Sequence, residues 1–575
     1  RNIEYGMALA REYGAEPSRA GFLCDMFGHT GQMPQILAGF GSRAAFIWRG
    51  THEREHHGIV RWESPDGTAL PAYRFGPYGY CTYAFKVRGA FRPDEPFVFE
   101  DAVGRLVDYT LFEAARTPEG PILLFDGGDH MEIEPRTSEL IARANARLAG
   151  HNIEIVHSDL DRYTAELVGA NPSPAATLKG ELRETGRDPV DSDQQWLIPG
   201  VLSSRIHLKP RNAACEDELC LWAEPFSAFA ARIGAEYPYG YLRTTWRHLL
   251  ENHPHDSICG CSPDQIHKDM EYRFDQSFGI SSRLAERALG TIVAAAAPDG
   301  LPEHALVIGV FNPTHRDIAE PVDIDIPLPS DWPTTFQEFF GYEKKYSFDL
   351  KGPDGVSIPW QLCGQSPETH GFRRPRYKFP SETTRRIIRV TASLAIPAFG
   401  YPTLTVEPAA GPVRHTGSLA VNGRAIENAF LRVEIAPNGT LTLTDRRSGR
   451  RYDNLLTFED RADIGDGWYH GLAVNDRIHS SAACGADVAL VSDGFGKATI
   501  RVMIGMRIPE AFDFTRMERS SRLVKLPITA DITLRAGSPR VEVEIGVENN
   551  VMDHRLRALF PTGLTGDTYW SDSAF

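Results

Sequence analysis

The stretch Gly21-Phe22-Leu23-Cys24-Asp25 runs a short apolar segment directly into a carboxylate. Three further segments repeat the apolar part: Ala44-Ala45-Phe46-Ile47-Trp48, Pro121-Ile122-Leu123-Leu124-Phe125 and Ile153-Glu154-Ile155-Val156. Each reads as a buried strand of a parallel sheet, because a strand covered on both faces is almost continuously apolar. Between them, residues 100–115 and 137–148 carry apolar residues at helical spacing (Leu140, Ile141, Ala144 and Leu148 in the second), with Thr137 or Ser138 as the candidate cap. Strands alternating with helices imply an α/β barrel or a doubly wound sheet.

Further along, residues 170–225 are mixed and loop-rich, and 226–298 are helical, as Phe226 to Leu250 and then Pro263 to Ala297. Pro263 suits a first helical turn, where a missing N–H costs nothing. From about residue 304 the texture changes to strands. His304 to Phe311 is one; Leu431-Arg432-Val433-Glu434-Ile435 and Thr440-Leu441-Thr442-Leu443 flank the turn Pro437-Asn438-Gly439; Val541 to Ile545 alternates with period two. This half reads as β-sandwich.

The whole chain has 575 residues, which suggests three to five domains and leaves ample chain for a large core. Its 42% hydrophobic and 24% charged residues are ordinary for a globular protein. The net charge of −15 argues against nucleic acid or an anionic membrane as the main partner, since both reward a basic face. No apolar run reaches the 18 residues of a transmembrane helix. Eight cysteines form no disulfide framework and point to a reducing, cytoplasmic setting. The chain opens at Arg1-Asn2-Ile3 without a Met and stops at Tyr569-Trp570-Ser571-Asp572-Ser573-Ala574-Phe575, as though cut from something longer.

In parallel α/β folds reactive groups gather at the C-terminal strand ends. Asp25, Arg49 and Asp129 fall there, the last within Asp126-Gly127-Gly128-Asp129-His130. Two carboxylates facing one cavity are the minimum equipment for glycoside hydrolysis. Alternatively, Asp25 or Asp129 merely caps the following helix or turn. His253-Pro254-His255-Asp256-Ser257-Ile258-Cys259-Gly260-Cys261-Ser262 interrupts the helical region. It leaves three readings open: His255 as a single zinc ligand with a supporting carboxylate, a closed site of His253, His255, Cys259 and Cys261, or a polar loop.

Two literal motif matches carry less. His52-Glu53-Arg54-Glu55-His56 spells the zinc-peptidase pattern, but that chemistry needs a helix, and Gly50 and Gly58 bracket only seven residues. A charged loop is expected instead. Asn438-Gly439-Thr440 is formally a glycosylation sequon and reads as turn chemistry.

Several of these segments, in order, resemble one family, the zinc-dependent α-mannosidases of glycoside hydrolase family 38 in their bacterial form. Cys24-Asp25-Met26-Phe27-Gly28-His29-Thr30-Gly31-Gln32-Met33-Pro34-Gln35-Ile36-Leu37 resembles its nucleophile segment, Trp48-Arg49-Gly50 the next strand end, Gly127-Gly128-Asp129-His130-Met131 the acid/base loop, and His253 to Ser262 the second metal segment. Val201 to Arg205 and Asp463-Ile464-Gly465-Asp466 fit weaker blocks. The resemblance implies Asp25 as nucleophile and zinc ligand, Asp129 as general acid/base, and His255 as a second zinc ligand supported by Asp256. It also implies that Arg49 and Phe27 line the sugar subsite, with Tyr78 or Tyr80, Asp466 and Trp468 as further sugar contacts. The Zn2+ would orient sugar hydroxyls. An α-mannoside or oligosaccharide is the implied partner, with no nucleic acid and no membrane, and a homo-oligomer is compatible with the family.

The implied fold is multidomain α/β, α and β: an N-terminal (β/α)7-type barrel over 1–225, a three-helix bundle over 226–300 carrying the His255 loop, and β-sandwiches over 301–412 and 413–575. There is one departure. The family's first metal segment, with two more zinc ligands, lies before the nucleophile strand, and none of the 24 residues before Asp25 is a His or an Asp. The barrel's first strand and the end of the last sandwich are therefore expected to be missing, leaving two of four zinc ligands. Retaining hydrolysis predicts carboxyl groups about 5–5.5 Å apart. The competing readings are a non-catalytic carbohydrate-binding protein, which would set Asp25 and Asp129 on different surfaces, an inactive fragment of the same fold without a competent metal site, and a peptidase using His52, Glu53 and His56, which requires a helix there.

Overall fold

A computed structural model describes residues 1–90, 94, 96–174, 176–184, 197–339, 341, 343–373, 375, 377–566 and 568. The closing stretch Tyr569 to Phe575 lies outside them. Ala20–Leu23 and Ala44–Ile47 pair in parallel, with Leu23 opposite Ile47. Every residue of Ala44–Ile47 is buried, as its unbroken apolar run requires. This strand also pairs in parallel with Ala69–Arg74, which returns antiparallel to Gly58–Glu63, and Thr177–Lys179 adds in parallel beyond that.

The result is an open, mixed sheet of five strands, where the family resemblance implied a (β/α)7-type barrel lacking its first strand. Of the four strands expected, 121–125 and 153–156 run beside this sheet without ladder bonds. Side chains take their backbone groups instead. Asn145 Nδ2 donates to the Ile155 carbonyl at 2.9 Å and its Oδ1 accepts the Ile155 N–H at 2.8 Å, while Tyr163 donates to the Pro121 carbonyl at 2.9 Å. An apolar run predicts burial; the partner of its backbone is a tertiary matter.

Helices Phe99–Arg116 and Thr137–Leu148 pack through Val103, Leu106, Leu140 and Ala144. Thr137 does not cap the second; its hydroxyl donates back to the Glu134 carbonyl at 2.8 Å. The helical region begins at Leu208, with a continuous run to Arg232 that widens into a π-helical stretch over Glu218–Ala223. The single helix expected over 226–250 breaks around Gly234 (φ +105°) and restarts at Tyr239–Leu250. Asp264–Ala296 follows Pro263, as expected. These three helical stretches share a core of Leu208, Leu219, Leu242, Trp246, Leu249, Met270 and Phe274. Asn2–Glu12 lies against them, with the Tyr5 hydroxyl donating to the Arg243 carbonyl at 2.9 Å.

The remaining chain is β. One two-sheet unit closes over Ile326, Leu328, Phe348, Trp360, Val390 and Val406; a second closes over Val433, Leu441, Ile500, Val502, Ile528 and Ile532. The hairpin predicted at Pro437-Asn438-Gly439 forms, with Ile435 opposite Leu441. Asn438 Oδ1 accepts from both the N–H and the hydroxyl of Thr440, so the sequon residues make the turn. Asp323 of the first unit joins the second through Lys497 Nζ at 2.8 Å and Arg535 Nη2 at 3.1 Å. Among the described residues, no helix is long and apolar enough to cross a membrane.

Candidate functional site

Parallel pairing of Leu23 with Ile47 brings the residues that follow each strand to the same sheet edge. Asp25 and Arg49 each lie two residues beyond, and Arg49 Nε donates to Asp25 Oδ1 at 2.7 Å, with Nη2 on the same oxygen. Arg49 is buried between aromatic faces, 4.3 Å above Trp48 and 4.9 Å above Phe27. Those rings shield the cation and fix the plane of its donors.

Tyr80 enters from a turn after the hairpin. Gly79 at φ +58° makes this possible: a Cβ there would stand 2.3 Å from the Trp48 ring. The Tyr80 hydroxyl then lies 3.0 Å from Asp25 Oδ2 and 3.2 Å from each carboxylate oxygen of Asp129. The nearest oxygens of the two acids are therefore separated by no more than the two contacts end to end, about 6 Å. Burial, then the charges of Asp25 and Asp129, push the phenol well above its ordinary range, so it stays a neutral donor.

His255 opens the short helix His255–Cys259, which interrupts the long helices as the sequence indicated. Its Nε2 lies 2.9 Å from Asp25 Oδ2, and Phe27 meets its ring edge-on at 5.7 Å. Burial works to raise the Asp25 pKa, but the His255 hydrogen bond and the Arg49 charge outweigh it and hold the carboxyl below its usual range. The bond to Asp25 raises the His255 pKa in turn, against burial. Asp256 approaches the same Nε2 at 3.5 Å, and it accepts from the Cys261 thiol at 3.3 Å.

The β half contributes the loop 463–471. Asp466 Oδ1 accepts the N–H groups of Trp468 and Tyr469 at 2.8 and 2.9 Å, so it shapes the loop. Gly200 and Gly467 allow close docking: a Cβ at Gly200 would lie 2.4 Å from the Trp468 carbonyl, and one at Gly467 would lie 3.1 Å from Cys261. Trp468 is half-exposed beside Cys261. Tyr469, not anticipated from the sequence, is close enough for the Arg49 charge to act on its phenol. Its adjacency to the Asp463–Asp466 block was the available signal.

The structure thus gathers Asp25, Asp129, Arg49, Phe27, Tyr80 and His255 around one point, with the loop of Asp466 and Trp468 at its side. His52 to His56 forms a turn, not a helix, and Glu53 pairs with Arg74 and Arg116, so the peptidase arrangement is absent. The closed His/Cys site does not form either: His253 Nε2 contacts Asn212 Oδ1 at 2.8 Å.

For zinc, Asp25 Oδ2 and His255 Nε2 are donors of the right chemistry at a spacing one ion could bridge. Three or four protein ligands make a zinc site, and among the described residues no group of three His, Cys, Asp or Glu could hold a metal. The described residues therefore do not fit zinc by themselves.

Three family models match the chain in order. They are the N-terminal domain of glycosyl hydrolases family 38 over residues 1–177, the alpha mannosidase middle domain over 197–292, and the family 38 C-terminal domain over 426–575. A curated relative from Halalkalibacterium halodurans, named a putative mannosylglycerate hydrolase, is 26% identical over all of this chain and 66% of its own length. A crystal structure of an alpha-mannosidase from Enterococcus faecalis superposes with a TM-score of 0.84 at 25% identity, covering 100% of this chain and 65% of that one. A second Enterococcus faecalis structure, of a glycosyl hydrolase family 38 protein, shares the fold at a TM-score of 0.75, with coverage of 98% and 63%. The chain spans about two thirds of the length of these relatives. Domain matches in the family's own order, over a site assembled from both ends of the chain, place it: the chain belongs to glycosyl hydrolase family 38.

Proposed function

We propose that this protein is a retaining glycosidase that removes terminal α-linked mannose, with Asp25 as nucleophile and Asp129 as acid/base. One observation carries the reading: a single phenol touches both carboxylates, which bounds their nearest oxygens to about 6 Å. That upper limit between nearest oxygens accommodates the ~5–5.5 Å separation of the carboxyl groups in retaining pairs. The names of the relatives, which specify mannosides, support the sugar class.

Arg49 and His255 both donate to Asp25 and keep it ionised, so the proton that the leaving group needs is assigned to Asp129. In the first step an Asp25 oxygen bonds to the anomeric carbon, the glycosidic C–O bond breaks, and the Asp129 proton passes to the departing oxygen. In the second, water bonds to the same carbon, Asp129 takes its proton, and the Asp25 ester bond returns its electron pair to the carboxylate. Phe27, Trp468 and Tyr469 offer aromatic surface for the sugar ring.

The four-domain division, the implied dependence on Zn2+ and the reducing compartment belong to the same proposal. All eight cysteines are free thiols, which supports the last of these.

The roles are separable with azide. Asp129→Ala should retain its first step on 2,4-dinitrophenyl α-mannoside, whose leaving group needs no proton, and added azide should yield the α-mannosyl azide. Asp25→Ala should lose both steps. An Asp25→Ala variant with wild-type activity on any α-mannoside would end this assignment.

A further inference from the structure

We infer that Tyr80 is a positioning residue that gives its one hydroxyl proton to whichever of the two acids is ionised at each step, first Asp25 and then Asp129. This rests on the glycosidase reading above and assigns Tyr80 a role distinct from sugar contact. The geometry is specific. The phenol oxygen is 3.0 Å from Asp25 and equidistant, at 3.2 Å, from both oxygens of Asp129, so rotation about one C–O bond redirects the hydrogen without moving any heavy atom. The ring meets Trp48 edge-on at 6.2 Å, and Gly79, where a Cβ would strike the same indole, lets the chain carry it there.

A phenol has one proton to give and lone pairs to receive. Before the first step Asp25 is the carboxylate and Asp129 carries a proton. Tyr80 then donates to Asp25 and accepts from the Asp129 hydroxyl, so the two acids are prevented from sharing a proton directly. After the first step Asp25 is an ester and Asp129 has given its proton to the departing oxygen. The donation now has one charged recipient, Asp129, and the rotated hydroxyl holds that carboxylate facing the water it must deprotonate. No proton crosses Tyr80 at either stage: each proton leaves Asp129 for the leaving group or returns to it from water, and the bond changes at carbon are those already given. A hydrogen bond to a charged acceptor is worth roughly a 10–100-fold change in an equilibrium or rate. Arg49 and His255 both reach Asp25, whereas the phenol reaches Asp25 and Asp129 alike.

The test compares wild type with Tyr80→Phe, which keeps the ring on Trp48 and removes only the hydroxyl. With 4-nitrophenyl α-mannoside, kcat/KM reads the first step; with 2,4-dinitrophenyl α-mannoside, whose first step is fast, kcat reads the second. A donor that serves both acids predicts a fall of about 10–100-fold in each quantity, with KM for the activated substrate unchanged or lowered as the intermediate accumulates. A raised KM at unchanged kcat would make Tyr80 a sugar contact and overturn the role. A loss confined to one of the two steps would also overturn it, since one fixed donation would then suffice. Wild-type protein inactive on both substrates would instead overturn the glycosidase reading, and the role with it.

Discussion

Arg49 and Asp25 meet as a direct product of sheet register: each follows its parallel strand by two residues, Leu23 faces Ile47, and the guanidinium Nε donates to the carboxylate at 2.7 Å. Two nitrogens converge on one oxygen, while the opposite oxygen receives His255 and Tyr80. A carboxylate so surrounded is held by direction as well as by charge.

Arg49→Lys tests direction against charge. Lysine keeps the positive charge but loses the paired donors and the planar packing on Trp48 and Phe27. The expected loss in kcat/KM on an aryl α-mannoside is about 100-fold or more, in a variant that still folds cooperatively. Activity within a few-fold of wild type would mean that charge alone suffices.

His29 is buried against Trp62, ring centroids 5.4 Å apart, and among the described residues neither ring nitrogen has a hydrogen-bond partner. Burial pushes its pKa down to about 4, from an ordinary 6.5. The native state therefore binds fewer protons than the unfolded state between these values, and stability falls as pH drops from 6.5 towards 4. His29→Phe should remove about 2–3 kcal/mol of that acid sensitivity. Urea midpoints at pH 7 and pH 4.5 measure it; parallel pH dependence in the two proteins would refute the assignment.

Asp323 ties the two β units together. Burial opposes its ionisation, but Arg535, Lys497 and Thr391 outweigh it and bring its pKa down to about 2. A depressed carboxyl contributes stability above its unfolded pKa near 4, and loses it as pH falls towards 2. Asp323→Asn should cost about 1–2 kcal/mol at pH 7, allowing for partial exposure, and the difference should shrink below pH 4 and vanish near pH 2. A pH-independent difference would point to packing rather than charge.

Glu53 belongs to the motif match that failed as a peptidase. It accepts from Arg74 and Arg116, both buried, and Arg116 also pairs with the buried Glu113 at 2.5 Å. Removing its charge leaves buried cations underpaired, so Glu53→Gln should destabilise by about 3–5 kcal/mol. A general base in an open site would show the opposite pattern: an unchanged melting temperature with an activity lost.

Gly200→Ala probes the docking of loop 463–471. The new methyl would press on the Trp468 carbonyl and displace the loop from the sugar side of the site. A several-fold rise in KM with a small change in melting temperature is expected. No kinetic change would place the loop outside the subsite.

Much of this site was legible in the sequence because its parts sit at chain landmarks: strand ends for Asp25 and Arg49, a helix break for His255, a glycine-rich loop for Asp129. Which nitrogen of the His255 ring Asp256 meets depends on a χ angle that spacing does not carry. Tyr469 was missed because its approach to Arg49 crosses from the β half.

By itself the sequence determined which segments are buried, where the helices break and which residue types could do chemistry, because burial periodicity and turn residues act locally. Only the tertiary structure decided that 121–125 and 153–156 join no ladder, that the described strands form an open sheet, and that one phenol hydroxyl stands between two acids 104 positions apart. Those outcomes depend on which distant groups reach a given backbone or side chain, and no local pattern encodes that competition.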